Sequence, residues 1–377
     1  MKVVQLIQKK QLRGAETFAL QLSRELVKRG HQVKIVVLQD GEVELDFPDV
    51  DVLHINAKSL FDINSFKKLA SIIRDFKPDW VQANAGDTMR YAVLSRLVYG
   101  WKAPIIFRNA SVVSQYIKNP IKKFYYSFLL KRVDQIISVS EVSMRDYVQM
   151  FPFVKNKIQV IPIGIETEVL DRETESPGVL ESISRGDGYI LHVGGFTFEK
   201  NHEGLLRIFQ HVLKKKPEVQ LVLAGDGPLF TTIQDKVKEL GLESNVQLLG
   251  RRTDVANLMK HASMLVLPSI IEGLPGVLLE AMYCRVPVIA NNVGAIPDLL
   301  AEGRGIVVEK GDEEDFANAV IQQLDQLKSE AHLEGVRGYV KEMYSMDKVV
   351  SSWLLVVGSL FNINTSSTNN IQHTTNN

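Results

Sequence analysis

The apolar run at residues 264–267 stops at Pro268, turns through Gly273 and Gly276, and gives way to a helical pattern from about Val277. A short continuous apolar run bounded in this way reads as a buried parallel strand. Strand, glycine-rich turn and helix together leave free backbone N–H groups at the helix head, beyond the strand's carboxyl end, where a phosphate is readily held. Glu272 rides on the loop and Glu280 lies about one turn into the helix, so two carboxylates can face one ligand from different directions. The plain structural alternative is a solvated loop acid beside a solvated helical acid.

The same unit recurs along the chain. In the first half, apolar strands are expected at residues 2–7, 33–38, 50–53, 80–82, 104–107, 135–139 and 158–161, alternating with helices. The helix at 15–29 carries Phe18, Leu22 and Leu26 on one face. A second series begins at 189–193 and continues at 220–224, 246–249, 264–267 and 305–308, with an amphipathic helix at 312–327. Such alternation predicts α/β architecture, with parallel sheets covered on both faces. A chain of 377 residues favours two domains. Residues 166–188 are polar, lack periodicity and contain Pro177, Gly178, Gly186 and Gly188, so they read as the connection. The expected division is 1–165, a linker at 166–188, 189–345, a last helix at 346–361, and an Asn/Thr/Ser-rich disordered tail at 362–377.

Composition excludes several classes. Lys plus Arg and Asp plus Glu both total 44, so no net field recommends a nucleic acid. The lone Cys284 rules out a disulfide framework, fits a reducing compartment, and reads as a packed apolar residue. The N-terminal apolar run is too short for a signal peptide, and the stretch at 349–361 is too short to span a bilayer. A cytoplasmic protein is expected. Asp49-Val50-Asp51 matches a metal-binding pattern but enters a strand rather than following one, and reads as coincidence; no metal or cofactor is expected.

Ser269, Glu272-Gly273-Leu274-Pro275, Glu280-Ala281-Met282 and Pro287-Val288-Ile289-Ala290 resemble the donor-binding signature of the family 4 retaining glycosyltransferases. Other landmarks run in the same order: Arg13-Gly14-Ala15-Glu16, Ile161-Pro162-Ile163-Gly164, the turn opening with Gly194-Gly195 and reaching Lys200, and Gly225-Asp226-Gly227-Pro228. The resemblance implies a GT-B fold, two Rossmann-like domains facing across a cleft, with the last helix returning across the first. It implies transfer of a sugar from a UDP- or GDP-linked donor to a hydroxyl of a glycan or lipid-linked acceptor, as in bacterial surface polysaccharide synthesis.

By the same resemblance, Glu272 contacts donor-sugar hydroxyls and Glu280 the nucleotide ribose. Lys200 and the amides of Val277 and Leu278 offset charge on the leaving diphosphate. Gly14, Gly194, Gly195, Gly225, Gly273, Leu274 and Gly276 line the donor site. Two departures stand out: Arg13 replaces the first glycine of its turn, and Gly195 stands where the family has an arginine, for which Arg251 is a weaker substitute. Asn84, Asp87, Arg108 and Asn109, at strand carboxyl ends, are acceptor-side candidates, Arg108-Asn109 standing near a position where many members have histidine. Residues 118–132 interleave Lys and Arg with aromatics, which suits either a half-buried helix or contact with an anionic membrane surface. A GT-B sugar-nucleotide epimerase and a non-catalytic nucleotide-sugar binder stay open as rivals.

Overall fold

The computed structural model describes residues 1–11, 14–39, 41, 50–59, 62–175, 188–326 and 329–360. Arg13, Asp49, the later part of the expected linker and the tail at 362–377 lie outside the described residues.

The first half builds a seven-stranded sheet from β1 (Lys2–Ile7), β2 (Gln32–Val37), β3 (Asp51–His54), β4 (Trp80–Ala83), β5 (Ile105–Asn109), β6 (Gln135–Ser138) and β7 (Ile158–Val160). The spatial order is β3-β2-β1-β4-β5-β6-β7, and every pairing is parallel. Helices α1 (Gly14–Lys28), α2 (Ile63–Phe76), α3 (Gly86–Tyr99), α4 (Pro120–Leu130) and α5 (Glu141–Met150) connect these strands. Alternate residues of β1 serve opposite cores: Val4 and Leu6 pack towards α2 and α3, while Val3 and Ile7 pack towards Phe18, Leu22 and Leu26 of α1. Both faces are apolar, so the strand reads as a continuous hydrophobic run.

The second half repeats the plan with β8 (Tyr189–Val193), β9 (Gln220–Ala224), β10 (Val246–Gly250), β11 (Met264–Leu267), β12 (Val288–Asn291) and β13 (Ile306–Val308), in the order β10-β9-β8-β11-β12-β13. After α6 (Thr167–Glu175), its helices are α7 (His202–Leu213), α8 (Phe230–Glu239), α9 (Val255–His261), α10 (Gly276–Tyr283), α11 (Ile296–Leu300), α12 (Glu313–Asp325) and α13 (Glu330–Tyr344). In each sheet the winding direction reverses beside the first strand, between β1 and β4 and between β8 and β11. Open α/β sheets bind ligands in the crevice at that switch point.

The chain passes between the two sheets twice, side by side. Ile165 N–H donates to Tyr344 O at 2.8 Å, and Met346 N–H donates to Ile165 O at 2.8 Å. Beyond this ladder α14 (Met346–Leu360) lies against α1, with the Trp353 and Trp80 rings 5.3 Å apart and Arg29 donating to Ser351 Oγ at 3.0 Å. The expected aperiodic linker needs correction, because its first part is helix α6. Asp171 accepts from the Tyr283 hydroxyl at 2.9 Å and from Arg337 Nη2 at 2.6 Å, which fastens α6 to α10 and α13. Tertiary contacts supply what its weakly apolar sequence lacks.

Candidate functional site

The loop between β11 and α10 is braced on three sides by neighbouring switch-point loops. Asn201 Nδ2 donates to Pro268 O at 3.1 Å, Ile270 N–H to Glu199 O at 2.7 Å, and Asn291 Nδ2 to Ser269 O at 3.1 Å. Gly294, at φ +58°, lets the next loop pass so close that a Cβ there would overlap the Glu272 and Gly273 carbonyl oxygens. The helix then opens with Pro275 and no side-chain cap. Leu278 N–H donates back to Pro275 O at 3.2 Å, which corrects the expectation that its amide is free. The open donors among the described residues are instead the amides of Gly276 and Val277.

Lys200 ends the loop after β8, and its Nζ donates to Glu272 Oε1 at 2.7 Å. The pair is mostly shielded, with side-chain exposures of 21% and 10%. The lysine stem lies along Gly194, where a Cβ would sit 3.3 Å from Lys200 Cδ. Gly225 is equally constrained: φ is +142°, and a Cβ would overlap Gly194 O. Gly195 differs, for a Cβ there would meet only Asp226 O at 3.7 Å and Thr197 Cγ2 at 3.8 Å, so space does not require glycine. Arg251 stands near this turn, its Nη2 3.8 Å from Asp226 Oδ2. Glu280 is half-buried on α10; burial, helped by the nearby Glu173 carboxylate, pushes it up to about 7. One loop thus gathers an ammonium, a carboxylate and unpaired amides, while a second carboxylate lies one turn away.

The first sheet closes on this loop. A Cβ on Gly273 would overlap Ala110 O, just beyond β5, and one on Gly276 would stand 3.3 Å from Ile163 Cδ1. The site therefore lies between the two sheets, at the carboxyl ends of both.

Two family models divide the chain between them: Glycosyltransferase Family 4 matches residues 12–169, and Glycosyl transferases group 1 matches residues 181–334. The chain belongs to the family 4 GT-B glycosyltransferases. Among relatives, the N-acetyl-alpha-D-glucosaminyl L-malate synthase of Bacillus anthracis is 26% identical over 356 residues, covering 90% of this chain and 92% of that protein. A Campylobacter jejuni N-acetylgalactosaminyltransferase acting on a diphospho-undecaprenol-linked sugar is 26% identical over 272 residues, with 68% and 72% covered. An uncharacterised glycosyltransferase of Methanocaldococcus jannaschii is 28% identical, but the match spans 60% of this chain and 58% of that protein. The fold is that of Anabaena HepE, crystallised with UDP-glucose: TM-score 0.81, 18% identity, covering 95% of this chain and 100% of that one.

In this glycosyltransferase the residues expected on the acceptor side separate. Asn84 is buried, and its Nδ2 donates to Gln5 Oε1 at 2.9 Å and Leu6 O at 3.1 Å, so its amide ties strands together rather than facing a ligand. Arg108 and Asn109 do not follow β5 but end it, and both are buried. Asn109 Nδ2 reaches Ser138 Oγ at 3.4 Å. Asp87 is half-exposed in the first turn of α3 and accepts from Gln8 Nε2 at 2.9 Å and from Arg90. Cys284 is half-buried, and its thiol is pushed up to about 12, chiefly by burial.

Three residues near this loop escape sequence reasoning. Tyr116, beyond β5 and 42% exposed, is raised to about 12 by partial burial and by the carboxylates of Glu199 and Glu272. His192, at the end of β8, donates from Nδ1 to Val266 O at 2.9 Å, and burial lowers it to about 4. His202, which stacks on Phe196 at 4.0 Å, is lowered to about 2 by burial and by His192. Both imidazoles are neutral at pH 7; their rings meet edge to face at 4.7 Å, and a Cβ on Gly194 would stand 3.4 Å from His192 Nε2. Their only sequence signal was a histidine on each side of a glycine turn.

Proposed function

We propose that this enzyme moves a sugar from a nucleotide diphosphate sugar, UDP- or GDP-linked, to a hydroxyl of a glycan or lipid-linked acceptor, with retention of anomeric configuration and without a metal cofactor. The observation that carries the reading is the Lys200–Glu272 pair at 2.7 Å beside the open head of α10. A diphosphate seated on the Gly276 and Val277 amides draws Lys200 off Glu272, so the ammonium meets the leaving phosphate and the carboxylate is freed for donor hydroxyls. Donors fixed before reaction stabilise developing charge without reorganisation cost. Glu280, one turn further along α10, takes the ribose hydroxyls. The acceptor proton goes to the leaving phosphate on the same face.

The donor and acceptor classes draw support from HepE, crystallised with UDP-glucose, and from the relative named for a diphospho-undecaprenol-linked acceptor. The test is release of nucleoside diphosphate from the donor, dependent on an added glycan or polyprenol-linked acceptor, with the product's anomeric proton read by NMR. Acceptor-dependent release and retained configuration are expected. Donor epimerisation without acceptor, or donor binding with no release under any acceptor, would favour the epimerase or the non-catalytic binder instead.

Membrane contact through α4 is part of this reading. Ile121 and Phe124 are 78% and 77% exposed, with Lys118, Lys122 and Lys123 exposed around them. Among the described residues, no helix is long and apolar enough to cross a membrane. Apolar anchors ringed by lysines suit the surface of an anionic bilayer, each lysine contributing about 1 kcal/mol. Phe124→Ser combined with Lys122→Glu and Lys123→Glu should weaken co-sedimentation with phosphatidylglycerol vesicles by at least roughly tenfold. Equal sedimentation of variant and wild type would remove the membrane from the proposal.

A further inference from the structure

Arg108, next to last in β5, lies on the side facing α1 and is 3% exposed. Its guanidinium carbon lies 4.0 Å from the centre of the Phe18 ring. Among the described residues no carboxylate forms an ion pair with it, and Nη1 has no hydrogen-bond partner. Glu16, buried in the first turn of α1, is close enough to favour the cation, and its Oε1 accepts from Gln11 Nε2 at 3.0 Å. Burial lowers Arg108 to about 9, so it remains charged at neutral pH. A buried guanidinium without a matched anion is costly. Packing alone does not account for it, because an apolar side chain would cover Phe18 as well.

Its place suggests what completes it. Two residues beyond Arg108, the Ala110 carbonyl abuts Gly273, next to Glu272. The strand that carries Arg108 thus ends at the first-sheet side of the cleft, opposite the side that carries Lys200. At the head of α1, a Cβ on Gly14 would meet nothing within 4 Å among the described residues.

We infer that Arg108 is an anion-binding residue of the cleft, taking phosphoryl oxygens of a bound substrate from the side opposite Lys200. The inference rests on the reading that this cleft binds a nucleotide diphosphate sugar. A planar guanidinium fork matches phosphate bidentately, which an ammonium cannot do. The phosphate comes from the donor diphosphate or from a phosphorylated acceptor, and one pair of variants separates the two.

Arg108→Met and Arg108→Lys are compared with wild type for melting temperature without ligand, for affinity towards UDP, GDP and inorganic pyrophosphate, and for acceptor KM. Removal of an uncompensated buried charge should leave the ligand-free melting temperature of Arg108→Met unchanged or higher. If the donor diphosphate is the anion, nucleoside diphosphate and pyrophosphate affinities fall roughly ten- to hundredfold in Arg108→Met, and less in Arg108→Lys. If the acceptor supplies it, those affinities hold while KM rises at least roughly tenfold for a polyprenyl-phosphate-linked acceptor, but not for an unphosphorylated alkyl glycoside. Affinities and KM within twofold of wild type in both variants, whatever the melting temperature, would overturn the inference and leave Arg108 a structural brace. Wild-type protein that binds no nucleotide would instead count against the cleft reading beneath it.

Discussion

Lys200→Ala is expected to lower turnover by about 10²–10³ while the protein stays folded. The magnitude follows from loss of one preorganised donor aimed at developing charge, worth roughly 3–4 kcal/mol in the transition state. Folding should lose less, about 1–2 kcal/mol, the cost of leaving one mostly shielded carboxylate without its donor. Steady-state rates with saturating donor and acceptor, beside a melting curve, separate the two costs. Full activity in a folded Lys200→Ala protein would remove Lys200 from the mechanism.

Glu280→Gln should change both stability and binding, with opposite signs. The folded carboxyl is raised to about 7 against an ordinary value of 4.5. A group raised on folding binds its proton more tightly in the native state. Its stabilising contribution is therefore complete below about pH 4.5 and is lost as pH rises through about 7. At pH 8 the ligand-free wild type carries a half-buried carboxylate beside Glu173, and the glutamine variant does not. The variant should then be the more stable by roughly 1–3 kcal/mol, a difference that fades towards pH 5. Nucleotide affinity should move the other way. Ribose hydroxyls donate to an ionised acceptor, so wild-type affinity rises as pH climbs through about 7, while Glu280→Gln binds roughly ten- to hundredfold more weakly at pH 8 with little pH dependence. Melting curves and calorimetric titrations at pH 5.5, 7 and 8 read the two effects in turn, and superimposable curves for the two proteins would discard the role.

The strands were legible because a parallel strand buried on both faces is apolar throughout, as in residues 264–267, and needs no partner to be recognised. The loop between β11 and α10 was legible for a related reason: Pro268, Gly273 and Gly276 punctuate it where the backbone must turn and two sheets must touch. What sequence reasoning lost was set by neighbours distant in the chain. Helix α6 exists because Asp171 reaches Tyr283 and Arg337, and α13 shows only Val336 and Val340 as buried apolar positions. Asn84 looked like a ligand contact until Gln5 claimed its amide. Leu278 looked like a free amide until the first turn tightened onto Pro275. Arg108 was visible as a charge at a strand end, but its burial and its missing partner were not.

The most direct test of the central claim is the melting temperature of the full chain, without added metal, against UDP-, GDP-, ADP- and CMP-linked sugars. A ligand bound only by the native state must raise stability, by about 2.7 kcal/mol at a hundredfold excess over its Kd. The donor cleft built from Lys200, Glu272, Glu280 and the head of α10 predicts a clear upward shift with a UDP- or GDP-linked sugar. That shift should shrink in Lys200→Ala and Glu280→Gln. No shift with any of the four nucleotides would contradict the account.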